Sequence, residues 1–266
     1  MNARLDDAFA TARGEGRAAL IGYFPAGFPT VESSIAYIIA MVRGGVDVVE
    51  VGLPYTDPLM DGPVIQRAVE AALVNGTHTA DVMQVVAEVA GTGAPTLLMS
   101  YWNPIEHYGV ERFARDLAAA GGVGVITADL TPEEAGPWNA ATDTHDLARV
   151  FLVAPSSTSE RLKIVADETT GFVYAASLMG VTGERSALSS AAETLVRRTR
   201  EVTSRPLAVG LGVSTPRQAA DIARFADGVI VGSAFVRAVM DAPDHAAALM
   251  AVEDLASTLA AGVRQR

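Results

Sequence analysis

Eight short runs rich in β-branched residues alternate with stretches of helical periodicity and predict an α/β fold. The 266 residues are close to the ~250 usual for eight parallel strands closed into a ring, and no proline- or serine-rich linker divides them. The predicted architecture is a (β/α)8 TIM barrel, a single domain over residues 1–266. It carries an extra N-terminal helix and extra helices after strands two and eight. An open doubly wound sheet is the main rival, but the opening strand lacks the GxGxxG turn of its dinucleotide-binding form.

The elements follow in order. The opening "MNARLDDAFATARGEGR" is polar, carries acids and has no apolar signal-peptide core. The strands are "AALIGYF" (18–24), "VDVVEVG" (46–52), "PTLLMSY" (95–101), "GVGVITAD" (122–129), "ARVFLVA" (148–154), "GFVYAAS" (171–177), "PLAVGLG" (206–212) and "DGVIVGS" (227–233). "VESSIAYIIAMVRGG" has acid and serine start signals and a Gly-Gly stop, and "VERFARDLAAAGG" reads the same way. "TPRQAADIARFA" opens with a Thr cap followed by Pro in the first turn. Segment 64–92 has room for two helices, whereas 131–146 is the weakest helix.

Composition narrows the function. A net charge of −11 disfavours nucleic acid and anionic membrane surfaces. The absence of cysteine removes disulfides, thiolate nucleophiles and Cys-based metal sites, and fits a cytoplasmic protein. No apolar run approaches a membrane span, because each is broken by Gly, Asp or Pro.

The stretch "VDVVEVGLPYTDPLMDG" (46–62) carries the first functional signal. Strand alternation puts Val46, Val48 and Glu50 on one face and Asp47, Val49 and Val51 on the other, with Asp47 near solvent at the strand start. Glu50 lies toward the C-terminal end, which in a barrel is the catalytic mouth. Desolvation there raises a carboxyl pKa into the range useful for proton transfer; the alternative is a structural carboxylate bonded to amides or an Arg. Beyond it, Pro54, Pro58 and Pro63 stiffen a loop bearing Asp57 and Asp61, and spacing alone does not rank these two aspartates.

The second signal is three clusters of small residues at the last strand exits: "SLMGVTGERS", "GLGVSTP" and "VGSAFVRAV". Barrels bind phosphate there through backbone N–H groups and the N-terminus of an extra helix. Gly183, Gly212, Gly232 and Ser233 are the candidate contacts; singly, each glycine is better explained by a tight turn, and it is the three clusters together that favour phosphate. The histidines at 78, 107, 145 and 245 have no metal-ligand spacing and read as surface or loop residues. Tyr101 and Trp102 stand near the mouth, either to stack a substrate or as buried rim aromatics. "RRTR" at 197–200 reads as a solvated helix end, and the serines lack a nucleophile elbow.

"VEVGLPYTDPLMDGP", "LLMSYWNP", "FLVAPSSTSERLKIVAD", "GVTGERS", "GLGVSTP" and "VGSAF", in this order over residues 15–240, resemble the tryptophan synthase alpha subunit family. The strand-two block is the most specific of them. The resemblance implies retro-aldol cleavage of indole-3-glycerol phosphate to indole and D-glyceraldehyde 3-phosphate, with no metal or organic cofactor in this chain. It assigns Glu50 as the acid–base that protonates the indole ring at C3 and handles the glycerol hydroxyl proton. Asp61 becomes the loop acid facing the indole N–H, and Asp57 a residue of partner communication. It matches Tyr174 to a substrate-pocket tyrosine, Gly183, Gly212, Gly232 and Ser233 to phosphate contacts, and Thr182 to a mobile cover.

The implied partner is a pyridoxal-phosphate-dependent β subunit in an α2β2 complex that receives indole, met by loops 53–61, 103–110 and 130–138. The chain's one lysine, Lys163, is not placed to carry that cofactor. Two departures stand out: Phe28 in "PAGFP" replaces a usual acid, and "ADLTPEEAGPWN" continues weakly after strand four. Three alternatives remain: a stand-alone indole-releasing lyase, another phosphosugar barrel such as an epimerase, and a non-catalytic activator of a β subunit.

Overall fold

The computed structural model describes residues 2–176, 185–210 and 212–265, with the backbone alone for 185–189. Its strands are β1 (Ala19–Pro25), β2 (Val48–Gly52), β3 (Thr96–Ser100), β4 (Gly124–Thr127), β5 (Ala148–Val150), β6 (Leu152–Val153), β7 (Val173–Ala176), β8 (Leu207–Gly210) and β9 (Gly228–Val231). All pair in parallel, in the order β5-β4-β3-β2-β1-β9-β8-β7-β6. The two ends of that order are halves of one strand separated only by Phe151, so the chain itself closes the barrel. Every predicted strand is present.

Strand alternation sorts the core into two layers. Ile21, Val48, Leu97, Ile126 and Ile230 fill the barrel, while Val49 and Val51 of β2 pack outward under the helices. Helix α1 (Ala3–Gly14), capped by the Asn2 side chain accepting the Arg4 N–H, plugs the lower end with Leu5, Phe9 and Ala12. Phe9 meets Phe172 at 5.5 Å between ring centroids. Burying each such aliphatic or aromatic side chain contributes about 1.5–3 kcal/mol.

At that same end Asp47 is half-buried rather than free in solvent. It accepts hydrogen bonds from Arg17 at 2.6 and 2.9 Å and from the Leu20 N–H at 2.7 Å, stapling β1 to β2.

The outer layer comprises α2 (Val31–Arg43), α3 (Pro63–Val74), α4 (Thr79–Ala90), α5 (Trp102–Tyr108), α6 (Val110–Ala119), α7 (Gly136–Thr144), α8 (Ser159–Glu168), α9 (Arg185–Arg200), α10 (Pro216–Ala223), α11 (Ser233–Met240) and α12 (His245–Val263). Segment 64–92 does hold two helices, α3 and α4. The weak segment 131–146 folds as a 3-10 turn, Pro132–Glu134, followed by α7. What fixes α7 is Trp138, fully buried edge-to-face on Trp102 and Phe113, and not a regular apolar stripe.

Helix α5 was not visible in the sequence. It is broken from α6 by Gly109 at φ +98, a conformation that only glycine adopts freely. The "RRTR" end of α9 is solvated at Arg197 and Arg200, as expected, and is also pinned: Arg198 donates to the Ser157 carbonyl and Arg200 pairs with Asp227, both at 2.5 Å. Helix α12 is long and apolar enough to cross a membrane by length and composition, contrary to the sequence expectation. It carries Glu253 and Asp254, and buries Val252, Ala256 and Leu259 beside α2 and α10.

Candidate active site

The site is built at the C-terminal end of the barrel, where β2 delivers Glu50 to the interior. Glu50 is fully buried, and neither carboxyl oxygen has a hydrogen-bond partner among the described residues. No amide or Arg among the described residues holds it as a structural carboxylate. Burial pushes its pKa up to about 8, because nothing nearby repays desolvation of the anion.

Loop 53–62 brings in the second acid. The loop is anchored at its start by the Leu53 N–H donating to the Met99 carbonyl at 2.9 Å. Tyr55 stacks on Tyr101 with centroids 5.5 Å apart, and Asn103 donates to the Tyr55 hydroxyl at 3.0 Å. The Tyr101 hydroxyl accepts the Met60 N–H at 3.0 Å, and Gln66 of α3 donates to the Asp61 carbonyl at 2.9 Å. Asp61 is thereby gripped on both sides, immediately before Pro63 opens α3. Its half-buried carboxyl is raised by desolvation and lowered by a hydrogen bond from Tyr101, whose own phenol is pushed up to about 12, chiefly by burial.

Glu50 and Asp61 line one cavity of ≈ 250 Å³ together with Tyr23, Tyr174, Gly212, Gly232, Ser233 and Arg237, and with apolar walls from Met99, Leu152 and Ile230. Burial raises both cavity phenols, Tyr23 and Tyr174, so they remain protonated donors near neutral pH. Opposite the acids, α11 begins at Ser233 with no side-chain cap at Gly232, leaving first-turn N–H groups available to an anion. Gly212, at φ +65, supplies the facing turn, and Arg237 stands one turn farther along α11.

The geometry therefore brings together Glu50, Asp61, Tyr174, Gly212, Gly232 and Ser233 from the sequence expectation. Thr182 and Gly183 lie outside the described residues. Asp57 is exposed and bonded to Thr56, outside the cavity. Tyr101 is a buried rim aromatic that holds the loop, and Trp102 packs on Trp138 in the outer layer, so neither lines the cavity. Phe28 packs beside Phe24, centroids 6.3 Å apart, also away from the site.

Three of the four histidines have partners elsewhere, and His107 lines a separate cavity beside Tyr55. His78 opens α4 through its backbone N–H on Asp81, His145 meets Glu111 at 2.8 Å, and His245 meets the Tyr37 hydroxyl at 2.9 Å. Among the described residues no group of three or more His, Asp or Glu converges in a metal-holding arrangement. Lys163 pairs with Asp167 on α8, 2.6 Å away and outside the cavity. Sequence reasoning missed Tyr23 and Arg237. Alternation along β1 places Tyr23 on the same inward face as Ile21, a signal that was present; Arg237 needed the helix register of α11.

Fold and site together define a (β/α)8 barrel in which a buried acid, a loop carboxylate and an uncapped helix N-terminus face one partly apolar cavity. Known proteins narrow that class. The family model described as tryptophan synthase alpha chain matches residues 9–264. A tryptophan synthase alpha chain from Thermobifida fusca is 60% identical over 258 residues, covering 96% of each chain. One from Streptomyces coelicolor is 58% identical over 261 residues, covering 98% of this chain and 96% of its own. Tryptophan synthase from Mycobacterium tuberculosis superposes with a TM-score of 0.92 at 52% identity over 99% of each chain. Tryptophan synthase subunit alpha from Legionella pneumophila gives 0.89 at 34% identity, over 99% of this chain and 98% of its own. The chain belongs to the tryptophan synthase alpha chain family, lyases of tryptophan biosynthesis.

Proposed function

We propose that the chain, acting as one domain in the cytoplasm, cleaves the carbon–carbon bond of indole-3-glycerol phosphate to give indole and D-glyceraldehyde 3-phosphate. The observation that carries this reading is Glu50, a fully buried acid with no partner, facing the same cavity as Asp61 and the start of α11. Glu50 enters as the neutral acid and donates its proton to C3 of the indole ring, which becomes an iminium-like electron sink. The Asp61 carboxylate accepts the ring N–H and offsets the developing positive charge. Glu50, now a carboxylate, takes the proton of the hydroxyl on the carbon joined to the ring. The C–C bond breaks, its electron pair restores the aromatic ring, and the hydroxyl carbon becomes the aldehyde. Glu50 ends neutral again, so the cycle consumes no net proton.

The phosphate sits at Gly212, Gly232 and Ser233, where backbone N–H groups and the helix dipole favour an anion, with Arg237 at the rim. Thr182 and Gly183 act as cover and phosphate contact in the same scheme. Met99, Leu152 and Ile230 provide apolar walls for the indole.

The partner in this reading is a tryptophan synthase β subunit, in an α2β2 complex, which holds the pyridoxal phosphate and consumes the indole. Loop 53–61 supports it: Leu59 is 78% exposed and Met60 39%, apolar surface on a rigidly anchored loop. A second cavity, between Tyr55 of that loop and His107 of α5, adds to the same face.

The test is indole release from indole-3-glycerol phosphate by the purified chain, alone and with a β subunit. Slow release that rises sharply with β is expected. Fast release alone would replace this reading with the stand-alone lyase, and no release in either condition would refute the lyase reading.

A further inference from the structure

The chain has six tyrosines. Four have a hydroxyl partner among the described residues: Tyr37 with His245, Tyr55 with Asn103, Tyr101 with the Met60 N–H and Tyr108 with Asp116, at 2.8 to 3.0 Å. The hydroxyls of Tyr23 and Tyr174 have no such bond among the described residues, and both side chains line the cavity that holds Glu50 and Asp61. Tyr174 is already assigned to the substrate pocket by family resemblance; Tyr23 is not.

Tyr23 is held in a defined place. It is 6% exposed and pairs in register with Glu50 across β1 and β2, so both side chains enter the barrel at one level. Its ring is wedged between two strand-end glycines. A Cβ on Gly232 would lie 3.0 Å from the Tyr23 Cδ1, and a Cβ on Gly52 would collide with the Tyr23 hydroxyl. The base of the ring therefore lies beside the anion cradle at Gly232, and the hydroxyl lies over the end of β2, two residues beyond Glu50. The side chain thus reaches from Gly232 to the end of β2 that carries Glu50.

The Tyr23 ring is buried, but its hydroxyl is not among the sealed, unpartnered polar atoms and borders the cavity, where a ligand can meet it. Burial keeps this hydroxyl protonated, and Asp61 and Glu50 act on it in the same direction, so it is a donor waiting for an acceptor. The acceptor available on the ligand at that position is an oxygen of the three-carbon chain joining phosphate to ring.

Building on the proposed lyase reaction, we propose that Tyr23 is a further catalytic residue, whose hydroxyl donates a hydrogen bond to a hydroxyl oxygen of the substrate's three-carbon chain. The bond fixes which oxygen Glu50 deprotonates and makes the site selective for a hydroxylated chain over a bare alkyl one.

The test compares wild-type and Tyr23→Phe proteins, each with a β subunit. One readout is indole release from indole-3-glycerol phosphate. The other is binding of indole-3-propanol phosphate, in which hydrogen replaces both chain hydroxyls. The variant should lose about tenfold in kcat/KM, the equivalent of one hydrogen bond, while its Kd for the propanol ligand stays unchanged. An unchanged kcat/KM alongside normal wild-type release overturns this proposal alone. Equal losses for both ligands overturn it in favour of a packing role. Absence of indole release by the wild-type protein overturns the lyase reading, and this one with it.

Discussion

Replacing Glu50 with Gln separates the burial of this acid from its chemistry. The glutamine keeps the shape and cannot ionise. Wild-type Glu50 titrates near its usual 4.5 when unfolded and at about 8 when folded. Between those values the folded chain holds a proton that the unfolded chain has released. Stability from this group therefore falls as pH rises through that window and levels off above about 8. At 1.36 kcal/mol per pH unit, the window corresponds to about 5 kcal/mol, of which about 4 kcal/mol develops between pH 5 and pH 9.

Urea unfolding of both proteins at pH values from 5 to 9 measures it. The unfolding free energy of Glu50→Gln relative to wild type should climb by about that amount across the range and flatten at the alkaline end. Other titrating groups are common to both proteins and cancel, and the cost of burying an unpartnered amide does not vary with pH. The same variant should lose at least ~100-fold in indole release, the usual contribution of a general acid–base. Stability curves that run parallel from pH 5 to 9 would refute the claim that burial alone sets this acid's protonation.

Three further outcomes follow from the same geometry. Because Glu50 must start protonated, kcat/KM for indole release should fall as pH rises through about 8, read from initial rates across a pH series. Tyr101→Phe removes the hydrogen bond that lowers the Asp61 pKa, so the acid limb of that profile should move to higher pH; loss of the grip on the Met60 N–H should cost about 1 kcal/mol by urea unfolding. Arg237→Gln should raise KM about two- to fivefold at low ionic strength with kcat held, and added salt should shrink the difference, because Arg237 is an exposed rim cation.

The parts of this molecule legible in its sequence are those governed by local periodicity. Alternation placed Glu50 inside and Val49 and Val51 outside, and parallel strands buried on both faces left apolar runs too dense to misread. Helix α10 announced itself by Thr215 and Pro216, and the Thr215 side chain does accept the Gln218 N–H. Helix α7 stayed weak in the sequence because its stability rests on one long-range burial, Trp138 among Trp102 and Phe113, which no local window contains. Helix α5 was hidden for a related reason: its boundary is a single glycine at positive φ, and nothing in "YWNPIEHYG" declares that conformation.

The site divides along the same line. Glu50 could be found because its type conflicts with its surroundings, a carboxyl in a run of valines. Asp61 and Asp57 could not be ranked by spacing, because what distinguishes them comes from distant residues. Tyr101 on β3's exit and Gln66 on α3 fix the backbone on either side of Asp61 and turn it inward, while Asp57, among the described residues, bonds only its neighbour Thr56 and stays outside the cavity. The glycines carry the clearest lesson. Gly52 and Gly210 sat within predicted strands and Gly232 was a phosphate or turn candidate, yet what their missing Cβ atoms provide is room for two phenols. A Cβ at Gly210 would lie 2.5 Å from the Tyr174 hydroxyl, and Gly52 and Gly232 make the slot for Tyr23. A glycine's function in such a barrel is thus set by the large side chain on the adjacent strand, and strand register, not residue type, reveals it.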